Sequence, residues 1–157
     1  MKFLKAPAKR LINAILAALD KTVVGRYIYA RILHVATGRT VTVAHNSTRL
    51  TLAVPNALNR YRADTFSTKE PETLEWIDHM PENAVLWDIG ANVGLYSCYA
   101  ARTRGCRVFA FEPSVFNLEL LARNIFLNGL TDKITIVPLP LAEKLEFSTL
   151  NMTSTEW

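Results

Sequence analysis

The residues best suited to chemistry in this chain are two acids set around a glycine turn. Asp88 follows the apolar run Val85-Leu86-Trp87, and after Ile89 comes Gly90-Ala91-Asn92-Val93-Gly94. Glu112 closes a second apolar run, Val108 to Phe111, 22 residues after Gly90. A carboxylate at the end of that second run can accept hydrogen bonds from both hydroxyls of a ribose. The glycines give the turn positive φ and let a ligand approach the backbone. The helix behind the turn offers unpaired N–H groups and a partial positive charge. The spacing therefore predicts a nucleoside-cofactor site with an acid at each end.

The elements that must position these groups can be read from the pattern around them. Val85 to Asp88 is a short strand, the apolar-rich run from Leu95 to Ala101 is a helix, Gly105 breaks it, and Val108 to Glu112 is a second strand. This is a βαβ unit, and open α/β sheets bind ligands at the carboxyl ends of such strands. The dinucleotide pattern G-x-G-x-x-G is absent, because Ala91, Asn92 and Val93 separate Gly90 from Gly94. Asp88 would repel a pyrophosphate but suits a ligand with an ammonium group. S-adenosylmethionine (SAM), with a ribose, an amine, a sulfonium and no phosphate, fits both acids. A nicotinamide dinucleotide is the alternative left by the βαβ unit and Glu112.

The run Asp88-Ile89-Gly90-Ala91-Asn92-Val93-Gly94-Leu95-Tyr96-Ser97, then Phe109-Ala110-Phe111-Glu112-Pro113-Ser114, then Asn124-Ile125 and Leu127-Asn128-Gly129-Leu130, resembles class I SAM-dependent methyltransferases. More narrowly it resembles the FkbM family, to whose lead-in Phe66 to Thr73 with Trp76-Ile77 is also similar. The likeness runs from about Phe66 to about Glu143. It implies a Rossmann-like α/β fold and SAM as cofactor, bound by Asp88, Gly90, Ala91, Asn92, Gly94, Glu112, Pro113 and Ser114. Asn92 can instead serve the turn backbone alone, and Ser114 can simply cap its helix. The resemblance also implies O-methylation of a hydroxyl on a sugar, glycan or secondary metabolite, a small-molecule or glycan acceptor and no nucleic acid. A hydroxyl acceptor needs a base, and the sequence names none: His34, His45 and His79 lie in no motif. The family's later strands, with an acidic Asp-x-Glu-Gly segment, have no counterpart. The 95 residues from Ala63 hold about three βα units at ~30 residues each. The fold is thus expected to be truncated after about the third or fourth strand, and a catalytically inactive remnant that binds a membrane or partner is the alternative function.

Half the residues are hydrophobic and a fifth are charged, the composition of a globular chain. Cys98 and Cys106 lack metal spacing and read as reduced core residues; no metal site is expected. Residues 1–62 carry eleven Lys and Arg against Asp20 alone, a net charge of +10; with +4 overall, residues 63–157 carry −6. The chain therefore divides into a basic N-terminal extension, 1–62, and a SAM-binding domain, 63–157. Leu11, Ile12, Ile15, Leu16 and Leu19 recur at helical spacing behind Lys5, Lys9 and Arg10. Asn13 interrupts that run, which is too short to span a bilayer and lacks a cleavage site. The protein is expected in the cytoplasm, with residues 1–36 either packed on their own domain or in peripheral contact with the inner membrane. A second helix around Tyr27 to Val35 ends near Gly38. Val41 to His45 and Arg49 to Val54 predict a hairpin around Asn46-Ser47-Thr48. Thr68 to Met80 predicts a helix capped by Thr68, with Leu74 and Ile77-Asp78 together with Trp76 on the face toward the sheet. Ser114 to Asn128 predicts a helix with the stripe Val115, Leu118, Leu121, Ala122 and Ile125, closed by Gly129. Ile134 to Val137 is a third strand, and Leu145 to Leu150 a further short one.

Overall fold

The computed structural model describes residues 6–144 and Thr149. It divides into two compact units, Met1–Arg39 and Thr40–Trp157. The expected boundary lay after residue 62. The hairpin and the helix after it instead belong with the parallel sheet, because the hairpin's leucines are part of that sheet's core.

The first unit holds α1 (Ala6–Asp20) and α2 (Val23–Thr37). Thr22 joins them: its hydroxyl accepts from the Gly25 amide at 2.9 Å and donates to the Leu19 carbonyl at 3.1 Å. Gly25 is buried at this corner, where a Cβ would lie 1.9 Å from the Leu19 oxygen. Large apolar side chains stay exposed on both helices, among them Leu11, Ile15, Val23, Tyr27 and Ile32. Among the described residues no helix is long and apolar enough to cross a membrane.

The second unit opens with an antiparallel hairpin, β1 (Thr40–His45) and β2 (Thr48–Ala53), turned at Asn46 with φ 50°. Then come α3 (Ala57–Asp64), α4 (Pro71–Asp78), β3 (Val85–Ile89), α5 (Leu95–Arg104), β4 (Arg107–Phe111), α6 (Val115–Leu127) and β5 (Ile134–Val137). Strands β3, β4 and β5 form a parallel sheet in that order, with Leu86 opposite Val108 and Val108 opposite Ile134. Parallel strands need crossovers, and α5 and α6 supply them. This is the Rossmann-like α/β arrangement that the sequence predicts. The expected strand at Leu145 to Leu150 lies outside the described residues.

The core lies where Leu86, Val108, Ala110 and Ile134 meet Cys98, Tyr99 and Ala100 of α5 and Leu121 and Ile125 of α6. Leu50 and Leu52 of β2 join it, each only 1 % exposed. Burying a leucine contributes about 1.5–3 kcal/mol, so the hairpin is held by packing as well as by hydrogen bonds. The outer edge of β2 faces α6 and would bury unpaired amides. Asn124 and Asn128, four residues apart and thus on one helix face, meet that edge. Asn124 Oδ1 accepts from the Ala53 amide at 2.8 Å, and Asn128 both accepts from the Thr51 amide and donates to its carbonyl. Asn124 also donates to the Val93 carbonyl in the glycine turn, at 2.8 Å.

Several local expectations are corrected. Asn56 caps a helix, α3, that the sequence reading did not assign; its side chain accepts from the Asn59 amide. Helix α4 begins at Pro71 behind Glu70 rather than at Thr68, since proline suits the first turn and needs no donor there. Leu74 and Ile77 point into the core, while Trp76 is exposed. On α6 the buried stripe is Leu121 and Ile125 with Leu120, Asn124 and Asn128, while Val115 and Ala122 are exposed. A period-3.6 count that admits only apolar residues misses the two asparagines.

Candidate functional site

A cavity of about 310 Å³, at the lower end of small-molecule sites, opens at the carboxyl end of β3. Asp88 and Ile89 of β3, Gly90 to Val93 of the turn, and Leu95 and Tyr96 of α5 line it. So do Arg62 and Thr65 at the end of α3, Phe66, Lys69 and Glu70 of the next loop, and Thr73 of α4. The lining contains four of the sequence-predicted site residues, Asp88, Gly90, Ala91 and Asn92. Gly94, Glu112, Pro113 and Ser114 do not line it.

Asp88 sits where β3 ends. Its Oδ2 accepts a 2.5 Å hydrogen bond from the Ser97 hydroxyl, on the first turn of α5. Burial pushes its carboxyl above the usual range; hydrogen bonds from Ser97 pull it down and the Glu112 charge adds to the rise. Asp88 thus both ties strand to helix and presents a partly desolvated acid to the cavity. The turn after it hangs on the end of β4: the Gly90 and Ala91 amides both donate to the Phe111 carbonyl at 2.9 Å. Gly90, at φ 80°, has open space where a Cβ would stand. Gly94, at φ 78°, does not, because Leu121 Cδ1 lies 2.3 Å from that position. Gly94 therefore lets α6 close on the turn; the space beside it belongs to a side chain, not to a ligand.

Glu112 is buried, and its carboxylate ties two segments together. Oε2 accepts from the Asn92 amide at 2.9 Å and Oε1 from the Ser114 amide at 2.8 Å. Each oxygen keeps a second lone pair. Ser114 stands at the N-cap of α6 without a side-chain capping bond, so the expected hydroxyl cap is not made; its backbone serves Glu112 instead. Asn92 has φ 54°, a conformation asparagine tolerates, and its buried Oδ1 has no hydrogen-bond partner. A buried acceptor left open beside a cavity is suited to a ligand donor or a water.

Sequence reasoning missed Arg62, Lys69 and Tyr96. Burial, then the nearby Glu70, pushes the Tyr96 phenol up to about 12, so it is a donor and not a base at neutral pH. The signal for Arg62 was available: the spacing Asn56, Asn59, Arg62 follows a helical cap. His45 is packed edge-on against Phe66 and Tyr99 and lies 3.9 Å from Asp78. His79 closes α4, its ring against the Glu75 carbonyl. Neither lines the cavity. Cys98 and Cys106 are free, buried thiols, and burial pushes Cys98 up to about 12. Among the described residues no cluster of His, Cys, Asp and Glu could hold a metal ion.

Known proteins can be set beside this geometry. Over 53 residues, 33% of the chain, it is 40% identical to methyltransferase sdnD of Sordaria araneosa. The match spans 20% of that protein's length, and over this segment the chain is homologous to a methyltransferase. Among solved structures it is similar to a SAM-dependent methyltransferase from Agrobacterium tumefaciens, with TM-score 0.49 and 17% identity over 64% of this chain and 32% of that one. It is also similar to TYW2 of M. jannaschii in complex with AdoMet, with TM-score 0.46 and 18% identity over 62% and 42%. No family model matches the chain.

Proposed function

We propose that the cavity at the end of β3 binds S-adenosylmethionine, and that the chain serves methyl transfer within the FkbM-like group of class I methyltransferases. The observation that carries this reading is Asp88: a desolvated carboxylate at a strand end, lining a cavity floored by a glycine turn. It accepts from the ammonium of the amino acid end. Although Glu112 does not line the cavity itself, it is the acceptor we assign to the ribose hydroxyls through its remaining lone pairs, and Gly90 and Ala91 let the ligand reach the backbone. Asn92 offers its open Oδ1. Gly94, Pro113 and Ser114 shape the turns that hold these groups. Homology to a methyltransferase over 53 residues supports the same reading.

The bound sulfonium supplies an activated methyl group, so what remains for the protein is to align an acceptor with it. The acceptor is a hydroxyl of a sugar, glycan or secondary metabolite. The test is transfer of label from methyl-labelled SAM to a panel of hydroxylated sugars and, in parallel, to RNA. Label on a sugar oxygen supports the assignment, and label on RNA overturns the acceptor class.

We further propose that the first unit meets a membrane surface. α1 and α2 leave Leu11, Ile15, Tyr27 and Ile32 exposed beside Lys9, Arg10, Arg26 and Arg31. Apolar side chains with basic neighbours suit an anionic bilayer surface. Flotation with vesicles containing phosphatidylserine tests it: binding that vanishes on deleting residues 1–36 supports peripheral attachment, and binding indifferent to the deletion refutes it.

A further inference from the structure

We infer that Arg62 is the carboxylate anchor of the cavity, the residue that holds the α-carboxylate of the bound amino acid end and so makes the site selective for a zwitterion. This rests on the cofactor reading above and adds to it a residue outside the glycine motif.

Two basic side chains line the cavity, Arg62 and Lys69. They differ in how they are held. Lys69 is largely exposed, with Glu70 at 3.5 Å. Its charge is already answered locally, and its long stem is free to move. Arg62 is half-buried, and among the described residues no carboxylate lies within ion-pair distance of it. Its Nη1 donates to Asn59 Oδ1 at 3.1 Å. Asn59 is itself buried, and its Nδ2 donates to Asn56 Oδ1 at 2.9 Å, the same oxygen that caps the helix. Asn56 at the N-cap and Asn59 and Arg62 of α3, at three-residue spacing, thus form a relay that holds the guanidinium with a neutral partner.

That arrangement uses one donor and leaves the rest of the fork available. A guanidinium matches a carboxylate with two parallel hydrogen bonds, which a lysine cannot reproduce. Burial lowers the pKa of Arg62, and the Glu112 charge offsets only part of that cost. A desolvated cation with a neutral partner gains most when an anion arrives. The same cavity is also lined by Asp88. An α-amino acid group has both charges on one carbon, so one acid and one guanidinium lining one cavity suit it. A ligand with the nucleoside but without the amino acid end would use Glu112 and the turn and would leave Arg62 unanswered.

Two ligands separate these contributions: S-adenosylhomocysteine, which has the amino acid end, and 5′-methylthioadenosine, which lacks it. Binding of both is measured calorimetrically to the wild-type chain and to Arg62→Gln, Arg62→Lys, Lys69→Gln and Glu112→Gln, with circular dichroism confirming that each is folded. Arg62→Gln is expected to weaken S-adenosylhomocysteine by about 10- to 100-fold, the range of a charged hydrogen bond, while methylthioadenosine changes less than about twofold. Arg62→Lys recovers part of the loss, and Glu112→Gln weakens both ligands. The assignment is overturned if Arg62→Gln leaves S-adenosylhomocysteine unchanged or weakens both ligands equally. A selective loss in Lys69→Gln instead also overturns it. If neither ligand binds the folded wild-type chain, the cofactor reading itself fails, and the Arg62 assignment with it.

Discussion

Replacing Asn124 by alanine should be one of the most damaging single changes in the second unit. The side chain is 1 % exposed and makes two bonds to backbone, accepting from the Ala53 amide and donating to the Val93 carbonyl, both at 2.8 Å. Alanine leaves both groups buried and unpaired. Each orphaned group costs about 1–3 kcal/mol, so the loss should be about 3 kcal/mol, a large part of the roughly 5–15 kcal/mol that holds a typical domain. At a urea slope of about 2 kcal/mol per molar the unfolding midpoint should fall by about 1.5 M. Val115→Ala, at a position 69% exposed on the same helix, is the control and should move it by less than about 0.5 kcal/mol. Because Val93 belongs to the glycine turn, Asn124→Ala should also weaken cofactor binding at urea concentrations where the chain is still folded. A loss no larger than the control's would refute the claim that these amides fasten the hairpin to the turn.

The two glycines of the turn should respond differently. Gly94→Ala combines positive φ with a Cβ driven against Leu121, so chemical denaturation should show a loss of about 2–4 kcal/mol. Gly90→Ala meets open space and should cost only the about 1–2 kcal/mol of the left-handed conformation, while its methyl group reduces cofactor affinity in a titration. The pH dependence follows from Asp88, whose folded pKa is raised. Its contribution to stability is fully present below the unfolded carboxyl pKa and is lost as pH rises through the folded value. Asp88→Asn should therefore flatten the decline of melting temperature across that window, while cofactor binding, which favours the ionised acid, should strengthen with rising pH in the wild type alone.

The stretch from Val85 to Glu112 was legible because its signals are local: apolar runs of strand length, glycines where the chain must turn, and acids at strand ends. The hairpin and the helix closed by Gly129 were legible for the same reason, and Gly129 indeed has φ 61°. What the sequence hid depends on distant partners. Asn124 and Asn128 read as polar interruptions of an apolar stripe, and only the position of β2 shows that they complete a strand edge. Glu112 read as a ligand acceptor, and its two bonds to the Asn92 and Ser114 amides appear only once turn and strand end are side by side. Gly94 read as a point of ligand approach until Leu121 was found in the space beside it. The rest of the cavity lining, from Arg62 to Thr73, joins the turn through tertiary packing, and the family likeness of Phe66 to Thr73 did not by itself mark those residues as lining a cavity.

The most direct test of the central claim, that the cavity at the end of β3 binds SAM, is calorimetric titration of the 157-residue chain with S-adenosylhomocysteine. The account predicts one site per chain with a Kd on the order of micromolar, weakened about 10- to 100-fold by Asp88→Asn. A chain that is folded by circular dichroism and gives no binding heat up to about 1 mM ligand, or binding that Asp88→Asn leaves untouched, would contradict it.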